Sequence, residues 1–366
     1  MFENFKEAYC TLSDQFNFKY CTIAGDECVL ITPLDMGVAW NDQNKIFRSS
    51  IWRTEDMKPV SLGFKKFTNL GESPDFEPWN ENEVFSTIKK IDGSLLIVSM
   101  YKGELIVRTR GTVDARVLDN GYEIEILKQK YPKVFDNRWL KEERHSFLYE
   151  WTTPTNRIVL RESDTPELTL IGMVRHSGYR YITQRSLNTV AKELEVKRPE
   201  VFTEWNNIEG IREFLKTNKT IEGFVIYSLD GQTLKKLKTE HYLYLHRVFT
   251  GIKTVDNLFD LWKESDYLFY YDFKEWLVEK YDHELAVSLE DLIQKLFVIR
   301  DTLAVVYKGI WEFVNVEKFK SLTRKEQAQE ILKNWSIWSP IAFDALDGKN
   351  LDWEKMYKLY KKYGNV

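Results

Sequence analysis

The sequence predicts an α+β protein in which a core of antiparallel sheets is followed by an all-helical domain. From about residue 20 to residue 245, short runs of β-type residues alternate with turn signals, a pattern typical of antiparallel sheets. Beyond about residue 250, the apolar residues recur with helical spacing instead. With 366 residues, the chain is long enough for two domains. We therefore expect a first domain over residues 1–248 and a helical C-terminal domain over residues 249–366.

Three hairpins are predicted from turns that contain glycine. In each, two β-type runs flank a short segment in which glycine supplies the backbone conformation that tight turns favour. The paired runs are residues 94–99 with 104–108, 168–174 with 179–183, and 223–229 with 233–239. A fourth hairpin, of Phe147–Trp151 with Arg157–Leu160, is predicted around Thr153 and Pro154.

The C-terminal helical domain is predicted from two series of apolar residues. The first series is at positions 255, 258, 259, 261 and 262, and the second at 289, 292, 293, 296 and 297. Spacings of three and four place each series on one face of a helix. Near the end of the chain, the exposed face of a further predicted helix carries a C-terminal lysine cluster of Lys355, Lys358, Lys361 and Lys362.

Composition and charge limit the class of protein. The chain is 43% hydrophobic and 30% charged, which supplies enough apolar material for a folded core. Its net charge of -4 gives no general attraction for nucleic acid, so any RNA contact must come from a local basic patch. Three cysteines without a CxxC pair argue against a disulfide framework or a zinc site. The sequence shows no signal peptide and no membrane-spanning segment, so we expect a cytoplasmic protein without a membrane partner.

A short motif at residues 90–93 carries the first indication of chemistry. Lys90-Ile91-Asp92-Gly93 matches the KxDG element of covalent nucleotidyltransferases and stands directly before a predicted strand. Four residues recur by chance in many chains, and a lysine beside a turn is usually only solvated. The functional interpretation of Lys90 therefore depends on other elements of the sequence.

Further elements follow the motif in a fixed order. They are Glu150 in a predicted strand, Pro154-Thr155-Asn156-Arg157-Ile158-Val159, Glu222-Gly223 before a hydrophobic run, and Lys236-Leu237-Lys238. Their order and spacing resemble the bacteriophage RNA ligase 1 family over about residues 45–250. The ordered set is far more specific than any one of its elements.

The resemblance implies both a fold and an activity. It implies a nucleotidyltransferase core and an ATP-dependent RNA ligase that joins 5′-phosphate and 3′-hydroxyl RNA ends. The implied intermediates are a lysyl-AMP on Lys90 and an RNA-adenylate. The family's helical domain is associated with broken transfer RNA, so tRNA repair is the expected setting, in the host cytoplasm if the chain comes from a phage. We expect the enzyme to act as a monomer.

Three lysines are the catalytic residues that the resemblance implies. Lys90 would attack the α-phosphate of ATP as a neutral amine, which requires a lowered pKa. Burial and the neighbouring cations Lys236 and Lys238 are expected to lower the pKa of Lys90. The same two cations would stabilise negative charge on the reacting phosphate.

The resemblance also implies a set of ATP-binding residues and one metal ligand. Glu150 matches a strand glutamate that contacts the ribose, and Gly93 is expected to let the backbone pass close to the nucleotide. Glu222 is the expected ligand of a magnesium or manganese ion. The complete expected ATP-binding set is Arg48, Lys66, Lys90, Gly93, Arg110, Glu150, Lys236 and Lys238.

The sequence departs from the family pattern at three positions. Ser49 follows Arg48 where the family has a glycine, Arg110 replaces a lysine, and Thr68 replaces an aromatic residue. Arginine keeps the positive charge but holds it in a planar fork. Arg110 is therefore expected to position the substrate rather than to transfer a group.

Other interpretations of the same residues remain open. Glu150 and Glu222 also fit the solvent-facing positions of alternating strands, and the lysines at 235, 236 and 238 also fit the charged guard of an edge strand. A DNA ligase or a capping guanylyltransferase would share the KxDG element. Both normally continue into an oligonucleotide-binding barrel, whereas this chain turns helical. A non-catalytic RNA-binding protein that retains the ligase fold is the remaining alternative.

Overall fold

The computed structural model describes most of the chain as two compact units. The described residues are 4–34, 37–72, 76, 78–79, 85–118, 120–153, 159–160, 162–202, 207–281, 285–286 and 289–363. The units comprise residues 1–248 and residues 249–366. The first unit contains every residue expected to bind ATP or a metal ion.

The first unit is built on strands that pair antiparallel in three sheets. The strands among the described residues are β1 (Phe16–Ile23), β2 (Asp26–Pro33), β3 (Ser50–Arg53), β4 (Pro59–Leu62), β5 (Phe85–Lys90), β6 (Ser94–Tyr101), β7 (Glu104–Thr109), β8 (His145–Thr152), β9 (Glu167–Arg175), β10 (Arg180–Tyr181), β11 (Val201–Phe202), β12 (Gly223–Ser228) and β13 (Leu234–Lys238). The strand order is β1-β2-β3-β4 in the first sheet, β10-β9-β8-β6-β7 in the second and β11-β5-β12-β13 in the third. The predicted core of antiparallel sheets is confirmed.

The three hairpins predicted from glycine-containing turns are present. They are β6 with β7, β9 with β10, and β12 with β13. The prediction of a fourth hairpin is wrong, because β8 pairs with β6 along one edge and with β9 along the other. No edge of β8 is left for residues 157–160. Residues 154–158 lie outside the described residues, and Val159 and Leu160 form a bend.

The second sheet is a middle layer with apolar packing on both faces. All eight residues of β8 are buried. On one face Leu148 belongs to a core cluster that includes Val29 of the first sheet, and on the other face Tyr149 shares a cluster with Leu127. Side chains alternate between the faces of a strand, so Glu150 lies on the same face as Leu148. Glu150 is thus carried by a strand that packing holds firmly.

Helices cover the sheets of the first unit. Those described are α1 (Phe5–Leu12), α2 (Tyr122–Lys130), α3 (Pro132–Phe135), α4 (Arg138–Lys141), α5 (Gln184–Leu194), α6 (Ile208–Thr217) and α7 (Glu240–Gly251), the last of which continues past residue 248. α7 follows β13 directly, and the Thr239 hydroxyl caps it by accepting a hydrogen bond from the Tyr242 N–H at 3.0 Å. This cap fixes Tyr242 just beyond the end of β13.

The second unit is helical, as its apolar spacing predicted. Its described helices are α8 (Val255–Glu264), α9 (Tyr270–Lys280), α10 (Glu290–Asn315), α11 (Glu317–Lys320), α12 (Arg324–Asn334), α13 (Ser339–Leu346) and α14 (Trp353–Tyr363). Leu258 and Trp262 of α8 and Ile293 and Leu296 of α10 are buried, in agreement with the two predicted series. Among the described helices, none combines the length and the apolar character needed to cross a membrane.

Three members of the C-terminal lysine cluster have acidic partners within the second unit. Lys358 lies 2.8 Å from Glu354, Lys361 lies 2.7 Å from Asp256, and Lys355 pairs with Asp344. These contacts offset much of the positive charge that the sequence placed on this helix.

Candidate active site

An open cavity of about 630 Å³ lies between the second and third sheets. The chain crosses from the third sheet to the second at residues 91–93, which connect the end of β5 to the start of β6. The predicted motif is therefore the crossover itself, and Lys90, Asp92 and Gly93 all line the cavity. Glu150, Glu222, Lys236 and Lys238 line it as well.

The register of the third sheet brings Lys90 and Lys238 to the same level. Gly223 of β12 pairs with Lys90 on one side and with Lys238 on the other. Val225, two residues further along β12, pairs with Lys236. Directly opposed residues of antiparallel strands project to the same face, so the three lysines share the face that lines the cavity.

Two glycines are required by close contacts between strands. At Gly223 the backbone φ is 149°, and a Cβ would meet the Leu237 carbonyl oxygen at 2.0 Å. At Gly93 a Cβ would meet the Trp151 carbonyl oxygen at 2.6 Å. The sequence predicted that Gly93 makes room for a nucleotide, but the contact found in the structure is with β8. Both glycines let the strands that carry the lysines and Glu150 approach closely.

Glu222 is the central acidic group of the cavity. Its side chain is 1% exposed, and its two carboxylate oxygens accept ion pairs from different lysines. Lys90 Nζ lies 2.6 Å from Oε2, and Lys238 Nζ lies 2.8 Å from Oε1. The interpretation of Glu222 as a solvent-facing strand residue is thereby excluded.

The sequence predicted that the pKa of Lys90 is lowered, and this direction is wrong. Burial by itself would lower the pKa of Lys90, but the negative charges of Glu222 and Glu150 outweigh burial. The pKa of Lys90 is therefore raised above the ordinary lysine value. The contact responsible joins residues far apart in the sequence, which is why the motif alone did not reveal it.

Lys236 is the lysine whose pKa is strongly lowered. Burial is the main cause, and the positive charges of Arg48, Lys238, Lys66 and Lys90 add to it, so that its pKa falls to about 7. Among the wall residues of the cavity, lysines and arginines outnumber aspartates and glutamates, and such an excess of positive charge favours an anionic ligand.

Arg48 and Arg110 line the same cavity, whereas Lys66 is not one of its wall residues. Burial, followed by repulsion from Arg110, lowers the pKa of Arg48 to about 10. The guanidinium of Arg48 and the ammonium of Lys236 both lie over the ring of Phe67, at 5.4 Å and 5.2 Å from its centroid. Lys66 contributes through its charge, because it lowers the pKa of Lys236.

Glu150 is buried at the end of β8, at the opposite wall of the cavity from β13. Burial raises the pKa of Glu150 to about 7, and the charge of Lys90 only partly offsets this effect. A carboxyl group with such a pKa is present in both protonation states near neutral pH. Strongly shifted pKa values in a cleft are typical of functional sites.

Two residues of the site were not among those expected from the sequence. Asp92 is 4% exposed and accepts hydrogen bonds from the Val159 and Leu160 N–H groups at 2.8 and 2.7 Å. The Tyr242 hydroxyl donates to the other carboxylate oxygen of Asp92 at 2.8 Å. Asp92 thus fastens Val159, Leu160 and α7 to the motif. The aspartate of KxDG was the available signal for this role.

Comparison with known proteins identifies the family. The profile of the T4 RNA ligase 1 family, described as RNA ligase, matches residues 47–277. The chain belongs to this family. Membership makes it an enzyme of the ATP-dependent RNA ligase class, in agreement with the resemblance seen in the motifs.

Individual relatives are distant in sequence. A protein of Thermovibrio ammonificans, named as a candidate RNA ligase, is 25% identical over 284 residues, which cover 75% of this chain and 70% of that protein. A protein of Autographa californica nuclear polyhedrosis virus, named as a candidate bifunctional polynucleotide kinase/RNA ligase, is 24% identical over 55% of this chain and 30% of its own length.

Solved structures that align with this chain include RNA ligases. A Naegleria gruberi RNA ligase mutant aligns with a TM-score of 0.38 and 16% identity, over 67% of this chain and 83% of its own. An archaeal ATP-dependent RNA ligase aligns with a TM-score of 0.44 and 10% identity, over 82% of this chain and 79% of its own.

One departure of this RNA ligase from its family pattern has a simple structural counterpart. Thr68, which replaces an aromatic residue, is buried and accepts a hydrogen bond from Lys235 Nζ at 2.9 Å. The neighbouring Phe67 lines the cavity instead. Phe67 thus supplies an aromatic wall residue one position before Thr68.

The donor atoms available in this RNA ligase suit a metal ion that arrives with a nucleotide. Within the described residues, no group of three or more His, Cys, Asp or Glu side chains is arranged to hold a metal ion. Magnesium in nucleotide sites commonly uses one or two carboxylates and takes its other oxygen ligands from phosphate and water. Glu222, a buried carboxylate in a cleft rich in cations, fits this kind of site.

Proposed function

We propose that this RNA ligase joins a 5′-phosphate RNA end to a 3′-hydroxyl end through a covalent adenylate on Lys90. In the first step, Lys90 Nζ forms a bond to the α-phosphorus of ATP, and pyrophosphate leaves. The AMP then passes to the RNA 5′-phosphate, which frees Lys90. In the third step the 3′-hydroxyl attacks the activated 5′-phosphate, and AMP leaves as the strand is sealed.

The observation that carries the proposal is the shared contact of Lys90 and Lys238 with Glu222. A buried carboxylate holds both lysines on one level of the third sheet, at 2.6 and 2.8 Å. This arrangement fixes a candidate nucleophile next to a cation that could stabilise its target phosphate. Fixed geometry of this kind lowers the entropic cost of reaching an in-line arrangement.

Lys90 must lose a proton before it can attack. While Glu222 is fully charged, the raised pKa of Lys90 works against this loss. A divalent ion bound to the Glu222 carboxylate would compensate its negative charge and polarise the phosphate oxygens. Glu222 is then the residue that links metal binding to the protonation state of Lys90.

Three further cations of the cavity are the proposed triphosphate ligands. Lys236, Arg48 and Arg110 line the wall, and their mutual repulsion is relieved when a polyanion binds. Binding of phosphate would also raise the pKa of Lys236 from about 7, so that its ammonium form is favoured as the transition state forms.

Glu150 is the proposed contact of the ribose. A carboxyl group with a pKa of about 7 is able to accept or to donate a hydrogen bond to a sugar hydroxyl.

RNA is the proposed polynucleotide substrate, and repair of broken RNA, including tRNA, is the proposed setting. Contacts to RNA outside the cavity must be few, because many surface lysines already have acidic partners. Lys128 pairs with Glu125 at 2.9 Å, and Lys133 pairs with Glu195 at 2.5 Å. We therefore expect a shallow dependence of RNA affinity on salt, with about three to five phosphates neutralised.

A sealing assay tests the proposed function. Single-stranded RNA with a 5′-phosphate and a 3′-hydroxyl is incubated with ATP, magnesium and either the native enzyme or a variant. Lys90→Ala should abolish sealing with ATP but retain sealing of RNA that is already adenylated, because the third step does not use the nucleophile. Lys89→Ala is the matched control, since Lys89 projects to the other face of β5 and pairs with Glu162 at 2.9 Å.

The alternative functions predict different results when GTP replaces ATP, or nicked DNA replaces RNA, in this assay. A capping-type enzyme would be labelled by GTP rather than ATP, and a DNA ligase would seal nicked DNA in preference to RNA. A non-catalytic RNA-binding protein would bind the RNA without sealing either substrate. Equal sealing by the native enzyme and Lys90→Ala with ATP would refute the assignment of the nucleophile.

A further inference from the structure

Arg108 is a fully buried arginine whose hydrogen-bond partners include residues next to Arg48 and Arg110 in the chain, the two arginines that line the cavity. Its side chain is 0% exposed and belongs to β7, two residues before Arg110. Nε donates to Ser61 Oγ at 2.8 Å, and Nη2 donates to the Ser61 and Ser49 carbonyl oxygens at 2.9 and 3.2 Å. Nη1 donates to Ser49 Oγ at 2.9 Å and to the Thr109 carbonyl at 3.1 Å. All three nitrogens of the guanidinium are therefore committed.

No acidic side chain among the described residues forms an ion pair with Arg108. A buried cation without a counterion is costly, and neutral hydrogen bonds offset only part of that cost. The planar guanidinium presents several N–H donors at once, and through them Arg108 of β7 is bonded to β4 and to the segment after Arg48.

Ser49 transmits this arrangement to both arginines of the cavity wall. Its hydroxyl accepts from Arg108 and donates to the Arg110 carbonyl oxygen at 2.9 Å. Ser49 also follows Arg48 directly in the chain, and its carbonyl oxygen accepts from Gly63 N–H at 2.9 Å as well as from Arg108. One side chain thus restrains the backbone at Arg48 and at Arg110.

A second buried group supports the same segment. The Tyr179 hydroxyl lies 3.2 Å from the Ile46 carbonyl oxygen and 3.1 Å from the Gly63 carbonyl oxygen. The backbone on both sides of Arg48 is therefore tied to the buried interior, while the Arg48 side chain reaches the cavity.

We propose that Arg108 and Ser49 are positioning residues that preorganise Arg48 and Arg110 for the phosphates of ATP. The inference rests on the proposed function, since it takes Arg48 and Arg110 as triphosphate ligands. It also gives a role to the serine that stands after Arg48 where the family pattern has a glycine. A glycine has no hydroxyl, so it is unable to link Arg108 to the Arg110 carbonyl.

The expected effect is specific to the step that uses ATP. Loss of the restraint leaves Arg48 and Arg110 charged but mobile, so part of the binding energy is spent on ordering them. The β- and γ-phosphates are present only in the first step. Sealing of RNA that is already adenylated does not require them, so that step should be preserved.

The test compares Arg108→Lys and Ser49→Ala with the native enzyme. Arg108→Lys keeps the charge but loses the fan of donors, and Ser49→Ala removes the hydroxyl with little change in volume. Both should raise the KM for ATP in Lys90 adenylation roughly ten-fold, with a smaller change in the rate at saturating ATP. Sealing of pre-adenylated RNA should stay within about two-fold of the native rate.

Arg198→Lys is the matched control. Arg198 also donates to a backbone carbonyl, that of Leu170, and to Gln184, but it does not contact Ser49. If Arg198→Lys raises the KM for ATP as much as Arg108→Lys does, the effect is a general consequence of removing a buried arginine, and the proposal is wrong. The proposal is also wrong if Arg108→Lys and Ser49→Ala lower the rate of adenylation and the rate of sealing of pre-adenylated RNA equally, because Arg108 then only stabilises the fold.

Failure of the proposed function gives a different result. In that case the native enzyme itself does not become adenylated, or Arg48→Ala leaves the KM for ATP unchanged. When the native enzyme is adenylated and Arg48→Ala raises the KM, an unchanged KM in both Ser49→Ala and Arg108→Lys overturns the positioning proposal alone.

Discussion

Replacing Glu150 by glutamine should stabilise the protein at neutral and alkaline pH. The pKa of Glu150 rises from 4.5 to about 7 in the folded chain because the carboxyl group is buried. Below about pH 4.5 the group is protonated in both the folded and the unfolded states, so it has no differential effect there. As the pH rises towards 7, the unfolded chain gives up the proton more readily, and the unfolding free energy of the native protein falls.

The size of the effect follows from the same shift. Each pKa unit corresponds to about 1.4 kcal/mol, so a change from 4.5 to about 7 is worth about 3 kcal/mol once both states are ionised. Glutamine resembles the protonated form and avoids this penalty. Glu150→Gln should therefore match the native protein near pH 4.5 and exceed its unfolding free energy by up to about 3 kcal/mol at pH 8.

Urea unfolding at a series of pH values measures this difference directly. Glu162→Gln is the control, because Glu162 pairs with Lys89 at 2.9 Å and its neutralisation should destabilise the fold instead. The gain in stability should come with a loss of adenylation, as expected for a buried charge that is kept for function. A difference between Glu150→Gln and the native protein that does not change between pH 4.5 and pH 8 would refute the assignment of a raised pKa.

Two further predictions concern the boundary of the catalytic unit and the contact of α7 with the motif. Deletion of the chain after residue 251 should leave Lys90 adenylation measurable, because all expected ATP and metal ligands precede that point. A soluble fragment that is not adenylated would show that the second unit completes the site. Tyr242→Phe should lower the unfolding free energy by about 1–2 kcal/mol, since Asp92 loses a buried hydrogen bond, and it should also slow adenylation. An unchanged midpoint of urea unfolding would contradict the contact between Tyr242 and Asp92.

The sequence predicted those parts of the fold that depend on local signals. Glycine turns located three hairpins, and apolar spacing located the helices of the second unit. The fourth hairpin failed because the partners of β8 are β6 and β9, and pairing over such distances leaves no signature near β8 itself. Nonlocal competition for strand edges decided that case.

For the candidate site, the motif order located most of the side chains but not their electrostatics. Lys90, Glu222, Lys236 and Lys238 meet in one cavity, as the resemblance to the RNA ligase family implied. The pKa of Lys90 moved opposite to expectation because it depends on a contact with Glu222 across neighbouring strands. Whether a residue gains an acidic or a basic neighbour is set by register, which the sequence does not reveal.

Arg108 illustrates a second kind of information that the sequence lacks. In a strand of alternating character, an arginine is expected to face solvent. Arg108 is buried because β4 and the segment after Arg48, which are distant from β7 in the sequence, pack around its side chain. Ser49 departs from the family pattern, and the two hydrogen bonds of its hydroxyl to distant residues give that departure a physical meaning.

The covalent intermediate is the central claim, and mapping of the adenylated residue tests it most directly. The native enzyme is incubated with ATP and magnesium in the absence of RNA, denatured at neutral or alkaline pH, digested and analysed by mass spectrometry. We predict one adenylyl group, attached to Lys90, that is stable in alkali and released by acid, and none in Lys90→Ala. Attachment to Lys89 or another residue, or a folded native enzyme that carries no adenylyl group, would contradict the account.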